Sequence, residues 1–380
     1  MFKSFITDNS AWVNGVWEKL DKKLSKVAEK SRDKLPYTTV NGVHDDLKNA
    51  PLTWTNGFFG GMMWLMFIGT GKDCYKLTAE NSEKLMDDAF NYMQDWHHDV
   101  GFMWHITSGV NYRLTGNIDS KNRNLIAAMS LMSRYNISGD YIRCWNDGTW
   151  GEKVAGWSII DCMMNIPILY WASREIGDSR FAKIAMRHAD MTMKDHVRED
   201  GSVNHIVIHD TEKPNTVLGV RKGQGYSENS CWSRGASWAL YGFTLSYIHT
   251  KEKRYLDTAL KVANYFIEQT KKTEWLPRLD FCQPETPLYY DSTAGAIAAC
   301  GLIEIAKLLD NEEGKKYLSS AINILKAMEK SWCDWTEQED SILQMGSLMY
   351  TNQVHMPIIY GDYFFTEAMF KLKGYDFLPW

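Results

Sequence analysis

Several things are scarce in this 380-residue chain, and each scarcity excludes something. Its seven cysteines are odd in number and contain no CxxC spacing, so neither a disulfide framework nor a cysteine metal knot is encoded. Cys162, Cys231 and Cys300 lie in apolar helical stretches, where a reduced thiol behaves as a small hydrophobe. The opening "MFKSFITDNSAWVNGVWEKL" lacks an apolar core and a cleavage site, so nothing there directs export. The longest apolar stretch, from Phe58 to Ile68, is interrupted by glycine and falls short of the roughly 18 residues a membrane span needs. There is no basic block, and a net charge of −5 with mixed signs argues against coating a nucleic acid. P-loop, GxGxxG, GxSxG and HExxH patterns are all missing. No Pro/Gly/Ser-rich linker divides the chain, so residues 1–380 read as one domain. A cytoplasmic protein without nucleic-acid or membrane partners, monomeric or weakly oligomeric, is the expectation.

Aromatic residues, by contrast, are plentiful: 16 Trp and 19 Tyr. Indole and phenol rings suit a cleft where sugar faces stack and a polar tip must stay reachable. A repeat organises the rest. "GDSRFAKIAMRHADMTMKDHV", "KEKRYLDTALKVANYFIEQT" and "EEGKKYLSSAINILKAMEKSW" share a polar start, an aromatic, then apolar residues at helical spacing. Before each comes a helix apolar nearly all round, such as "SRGASWALYGFTLSYIHT" and "DSTAGAIAACGLIEIAKLLD". Such helices are buried on every side, whereas their amphipathic partners keep one wet face. About six alternations of the two kinds predict an all-α (α/α)6 barrel of two concentric rings; the rival is a linear solenoid. Connectors near 97–120, 136–157, 197–232 and 272–291 are long and polar-aromatic, and "DGSVNHIVIHD" alternates like a short strand.

Inner helices of such a barrel run parallel, so their polar openings converge at one end. Asn56-Gly57, Ser158 with Asp161, Ser233-Arg234-Gly235 and Asp291-Ser292-Thr293 would line a single pocket, although N-capping explains Ser158, Asp291 and Ser292 equally well. Asp161 reads as lying about one turn into an apolar helix, between Ile160 and Cys162. A buried carboxylate either pairs or does chemistry. Asp99, in "HHDVGFMW", is the candidate partner, with Trp96, Phe102 and Trp104 to exclude water. Two carboxylates there would raise one pKa, while a helix N-terminus would lower it; spacing alone leaves that contest open. His97, His98, His105, His205 and His209 form no convincing ligand set, so neither a metal nor a cofactor is expected.

"WTNGFFGGMMW", "HHDVGFMW", "GWSIIDCMMN", "NHIV" and "QGYSENSCWSRGASWALYG" resemble, in order and over almost the whole chain, the unsaturated glucuronyl hydrolases of glycoside hydrolase family 88. That resemblance implies an (α/α)6 barrel with Asp161 as catalytic acid/base and Asp99 as the second essential carboxylate. It implies that Trp54, Trp145, His205, Gln224, Trp232, Arg234 and Trp238 hold a terminal unsaturated uronate. Cys144 stands where a larger side chain would be expected.

The implied substrates are unsaturated glycosaminoglycan disaccharides or oligosaccharides left by polysaccharide lyases. Their C4=C5 bond is a vinyl ether, so protonation at C4 and water addition at C5 would release the sugar. Arg234 suits the uronate carboxylate because guanidinium offers a bidentate fork. The second sugar would meet the rim segment "MGSLMYTNQVHMP", where Ser347 and Thr351 are candidate contacts but no lysine or arginine is present. Three alternatives compete: an unsaturated rhamnogalacturonyl hydrolase acting on pectin fragments, a sugar 2-epimerase, which needs histidine acid/base pairs, and a non-catalytic carbohydrate-binding scaffold.

Overall fold

A computed structural model describes residues 8–380; the first seven residues of the N-terminal stretch read above lie outside the described residues. Among the described residues are twelve α-helices. The outer set is amphipathic: α1 (Ser10–Lys30), α3 (Asp73–Leu85), α5 (Ile118–Ser133), α7 (Ser179–Asp195), α9 (Lys253–Lys271) and α11 (Glu312–Trp332). The inner set is α2 (Asn56–Thr70), α4 (Ser108–Thr115), α6 (Pro167–Ile176), α8 (Ser233–Thr250), α10 (Ser292–Leu309) and α12 (Ile359–Leu372). Helix α12 packs on α2, α2 on α4 and its preceding π turn, and that turn on α6; α6 meets α8, α8 meets α10, and α10 returns to α12. The inner ring therefore closes, and the rival solenoid is excluded: this is the (α/α)6 barrel.

Composition assigns each helix to its ring. In α7, Phe181, Ala185, His188, Ala189 and Thr192 are buried at spacings of three and four, giving one inward stripe. Every residue of α10 from Ser292 to Ala306 is buried. By length and apolarity α10 could cross a membrane, but it is surrounded by protein, which accounts for its composition. Side-chain caps fix several helix starts: Asn117 accepts from Ser120 N, Asp178 from Arg180 N and Asp291 from Thr293 N.

Two sequence expectations need correction. Segment 97–120 is no connector: a π turn (Gly101–His105) and α4 make it the second inner element. His98, Asp99, Phe102, Trp104, His105 and Asn111 are buried there, and Trp96 stacks on Trp104 at 4.3 Å. Nor is Asp161 inside an α-helix. It opens a 3₁₀ turn (Ile160–Met164) directly after a strand, with α6 starting only at Pro167.

That strand belongs to a three-stranded antiparallel sheet at the same end of the barrel. Strands β1 (Thr39–Val40) with β2 (Val43–His44), and β3 (Tyr135–Asn136) with β4 (Tyr141–Ile142), form small hairpin pairs. The larger sheet orders β5 (Trp157–Ile159), β6 (Ile206–His209) and β7 (Val217–Arg221), and β6 is the strand expected from "DGSVNHIVIHD". Ser158 faces Val207 in this register, so it lies in a strand rather than capping a helix.

Candidate active site

Sheet pairing brings the first two site residues together. Ile159 pairs with Ile206, and Ile160 N donates to His205 O at 3.0 Å, so Asp161 and His205 emerge side by side. The His205 Nδ1 lies 3.0 Å from Gln224 N and 3.2 Å from Lys222 O, and these contacts hold the ring with Nε2 toward Asp161 Oδ1 at 3.6 Å. Gly223 permits this approach: its φ is +54°, and a Cβ there would sit 2.1 Å from the His205 ring. Burial drives the His205 pKa down to about 3, so its ring is neutral.

Asp99 reaches the site from the turn before the second inner element. Its Oδ2 lies 3.1 Å from His97 Nδ1 and 3.2 Å from His98 Nε2, and its Oδ1 accepts from Asn165 Nδ2 at 3.2 Å. Asn165 also donates to Asp161 O at 3.3 Å and accepts from Phe102 N at 2.9 Å, tying the two carboxylate-bearing turns together. Gly101 makes room, because a Cβ there would meet Asn165 at 2.8 Å.

These environments separate the two acids. Burial pushes the Asp161 pKa up to about 8, and the neighbouring Asp99 charge adds to the rise, while Arg234 opposes it. Burial also pushes Asp99 upward, but His98, His97 and Asn165 outweigh it and hold Asp99 below the usual carboxylate range. At neutral pH one carboxyl is therefore protonated beside one that is ionised, which settles the contest left open by spacing. Burial takes His98 down to about 4, leaving a neutral ring that donates from Nε2.

Aromatic side chains surround this pair at two depths. Trp54 packs on Tyr360 at 5.0 Å and on Phe102 at 5.4 Å, and is half-buried. Trp145, also half-buried, meets His98 edge-on at 6.1 Å. The backbone of buried Cys144 positions it, accepting from His98 N at 3.0 Å and donating to Trp157 O at 3.1 Å. Trp232 covers His205, with ring centroids 4.2 Å apart. Trp238 lies deeper, fully buried between Phe102 and Phe364, so it forms floor rather than a stacking surface for sugar.

Arg234, in the first turn of α8, is fully buried and already engaged. Its Nη1 donates to Asp291 Oδ2 (2.7 Å), Ser347 O (2.5 Å) and Thr293 Oγ1 (3.2 Å), and its Nη2 donates to Leu348 O (2.7 Å). Asp291 is thus both a helix cap and the counter-charge of this arginine. The rim residues behave differently from expectation. Ser347 is buried, donating its hydroxyl to Tyr290 O at 2.6 Å and accepting from His355 N at 3.1 Å, so that hydroxyl is occupied within the protein. Thr351 sits at the exposed tip of the Met349–Asn352 turn with φ +67°. Neither is gathered with the two acids.

The structure adds three residues that sequence reasoning did not assign. Asn165 could have been noticed as the amide four residues after Asp161. His98, which fits no metal-ligand set in the sequence, lies against Asp99 with its Nε2 3.2 Å from Oδ2. Tyr360 had no sequence signal; it is buried in the first turn of α12, its hydroxyl has no partner, and Arg234 lies over its ring at 5.3 Å. Among the described residues no group of three His, Cys, Asp or Glu side chains could hold a metal ion.

Residues 27–254 match Glycosyl Hydrolase Family 88. A Formosa agariphila protein named unsaturated glucuronyl hydrolase is 34% identical over 329 residues, covering 83% of this chain and 79% of its own. A Streptococcus pneumoniae protein named unsaturated chondroitin disaccharide hydrolase is 31% identical over 339 residues, covering 88% and 84%. The solved unsaturated glucuronyl hydrolase of Bacillus sp. GL1, described as responsible for the degradation of glycosaminoglycan, superimposes with a TM-score of 0.86. It is 27% identical and covers 94% of this chain and 97% of that one.

Proposed function

The chain belongs to glycoside hydrolase family 88, and from that footing we propose that it releases the 4,5-unsaturated glucuronic acid from the non-reducing end of glycosaminoglycan fragments, by hydrating the C4=C5 bond. The observation that carries this reading is the pairing of a protonated carboxyl, Asp161, with an ionised one, Asp99. A vinyl ether needs a proton donor for C4 and then a base for water; one carboxyl supplies both in turn.

Asp161 gives its proton to C4, and the ring oxygen stabilises the positive charge that develops at C5. The resulting carboxylate takes a proton from the water that adds to C5, which restores the acid. The product is a hemiketal; its ring opens to a ketone at C5 and a hemiacetal at C1, which expels the next sugar. No step requires protonation of the glycosidic oxygen by a second carboxyl, so the spacing rule for retaining and inverting glycosidases does not govern this site.

Burial, helped by the Asp99 charge, keeps Asp161 protonated, and Asp99 accepts hydroxyls of the bound ring. His205 Nε2 and Asp161 Oδ1, both buried and unpartnered, are positioned to meet substrate. Trp54 and Trp145, the half-buried pair, flank the flattened ring, Trp232 backs His205, and Gln224 stands at the ring's rim. Arg234 meets the uronate carboxylate through the N–H groups left by Asp291, Ser347 and Leu348, a narrower role than a free bidentate clamp. The streptococcal relatives named unsaturated chondroitin disaccharide hydrolase favour glycosaminoglycan over pectin fragments. An epimerase would need histidines that titrate near neutrality, whereas His98 and His205 are held at about 4 and about 3. A passive binding scaffold leaves the raised Asp161 pKa without a use. We place the enzyme in the cytoplasm, acting as a monomer or weak oligomer without nucleic-acid or membrane partners; its seven unpaired cysteines and net charge of −5 support this.

Incubation with an unsaturated chondroitin disaccharide tests the proposal. The conjugated ultraviolet absorbance should disappear in step with release of the amino sugar. Release of that sugar with the absorbance intact would mean ordinary glycoside cleavage, and neither event would remove the activity altogether.

A further inference from the structure

Beyond the uronate pocket, the rim carries three tyrosines that the reaction does not use. Tyr226 and Tyr350 pack edge to face with centroids 5.0 Å apart and planes at 66°, and Tyr289 meets Tyr350 at 5.3 Å and 85°. Tyr226 is 39% exposed, a large aromatic left partly bare, whereas Tyr289 and Tyr350 are half-buried.

This cluster is continuous with the pocket. Tyr350 N donates to Gln224 O at 2.9 Å, and Gln224 N donates to the His205 ring that faces Asp161. The turn bearing Tyr350 is rigidly mounted: Leu348 N donates to Gln353 O, Met356 N to Gly346 O, and Arg234 holds the carbonyls of Ser347 and Leu348. On the facing loop, Tyr226 N is fixed by Asp280 Oδ2 at 2.9 Å. Rings held this way lose little freedom when a ligand stacks on them. Their chemistry also selects the ligand. Segment 345–357 has no lysine or arginine; of the two cations before Gln224, Arg221 is paired with Glu152 at 3.1 Å and Lys222 is exposed. Aromatic faces suit the C–H faces of sugar rings, whether or not a ring also carries a carboxylate.

We propose that Tyr226, Tyr289 and Tyr350 form a sugar-stacking platform beyond the scissile bond, which takes the distal residues of an unsaturated oligosaccharide and makes fragments longer than a disaccharide the better substrates. This rests on the hydrolase reading above. A disaccharide fills the pocket and its immediate neighbour, while a tetrasaccharide reaches the platform.

The test compares kcat/KM for the unsaturated di- and tetrasaccharides of unsulfated chondroitin. In parallel, their affinities are measured calorimetrically on the Asp161→Asn protein. The tetrasaccharide should be favoured about tenfold in both comparisons, the size of a modest stacking contact. Tyr226→Ala and Tyr350→Ala should bring that ratio to within about twofold of one, and Tyr226→Phe, which keeps the ring, should preserve it. Equal use and equal binding of the two lengths by the parent protein would overturn the platform, as would alanine variants that keep the tenfold ratio. Failure of the protein to consume either substrate would count against the hydrolase reading instead, and the binding ratio would still decide the platform.

Discussion

The Nε2 of His205 stands 3.6 Å from Oδ1 of Asp161, and neither atom has a hydrogen-bond partner although both are buried. Left unpaired, the Asp161 carboxyl is costly to ionise, and the nearby Asp99 charge makes it costlier. The Asp161 carboxyl is thus protonated before substrate arrives.

A pH profile follows from that loading. Since Asp161 acts while protonated and its pKa is about 8, kcat/KM should hold through neutrality and fall above about pH 8. Asp99→Asn removes the charge that helps raise this pKa, so the alkaline limb should move to lower pH and turnover should drop sharply. Burial, the larger cause, survives the substitution, so the limb should stay above the usual carboxyl range. An unshifted limb would leave Asp99 a role in sugar binding alone.

Stability should show the same strain with a definite sign. The folded Asp161 pKa exceeds the unfolded one, so the folded protein binds the extra proton and this group's contribution is lost as pH rises from about 4 toward about 8. Asp161→Asn, which cannot ionise, should raise Tm by several degrees at pH 8 and leave it unchanged near pH 4. Thermal melts at the two pH values check this; a substitution that lowers Tm equally at both would mean Asp161 is not a strained acid.

Much of the barrel was legible because burial on all sides and burial on one side leave different residue patterns. The closed ring follows from the contrast between α10, apolar throughout, and α7, apolar on a stripe. The second inner element escaped notice because Asp99, His98 and His105 are polar residues in a buried segment, a pattern that reads as a loop when partners are unseen. Asp161 was legible as a carboxyl set among apolar neighbours. Its 3₁₀ turn was not, since the β5–β6 pairing that precedes it is set by residues nearly fifty positions apart. Ser347 misled for a related reason: a small polar residue on a rim looks available until Tyr290 O and His355 N are seen beside it.

That correction sharpens an expectation about sulfation. The Ser347 hydroxyl is occupied, Arg221 is paired to Glu152, and segment 345–357 carries no cation of its own, which leaves exposed Lys222 on the neighbouring loop. Unsulfated and 6-sulfated disaccharides should have kcat/KM values within about tenfold, about 1.4 kcal/mol. Ser347→Ala should slow both equally by loosening the rim, whereas Thr351→Ala at the exposed tip should change neither by more than about twofold. A hundredfold preference for one sulfated form would contradict this and make Lys222 a sulfate contact.

Chelation gives an independent check on the chemistry. Protonating a vinyl ether from a loaded carboxyl needs no Lewis acid, and no three-ligand cluster occurs among the described residues. Exhaustive treatment with a chelator should leave the rate unchanged; loss restored by a divalent ion would require a different mechanism.

The most direct measurement is the turnover of Asp161→Asn, followed by loss of the conjugated absorbance, with substrate affinity measured alongside. Asparagine keeps the shape of the side chain and removes its transferable proton, so turnover should fall by at least about a thousandfold while affinity stays within about tenfold. Turnover within tenfold of the parent enzyme would contradict the assignment of Asp161 as the acid that protonates C4.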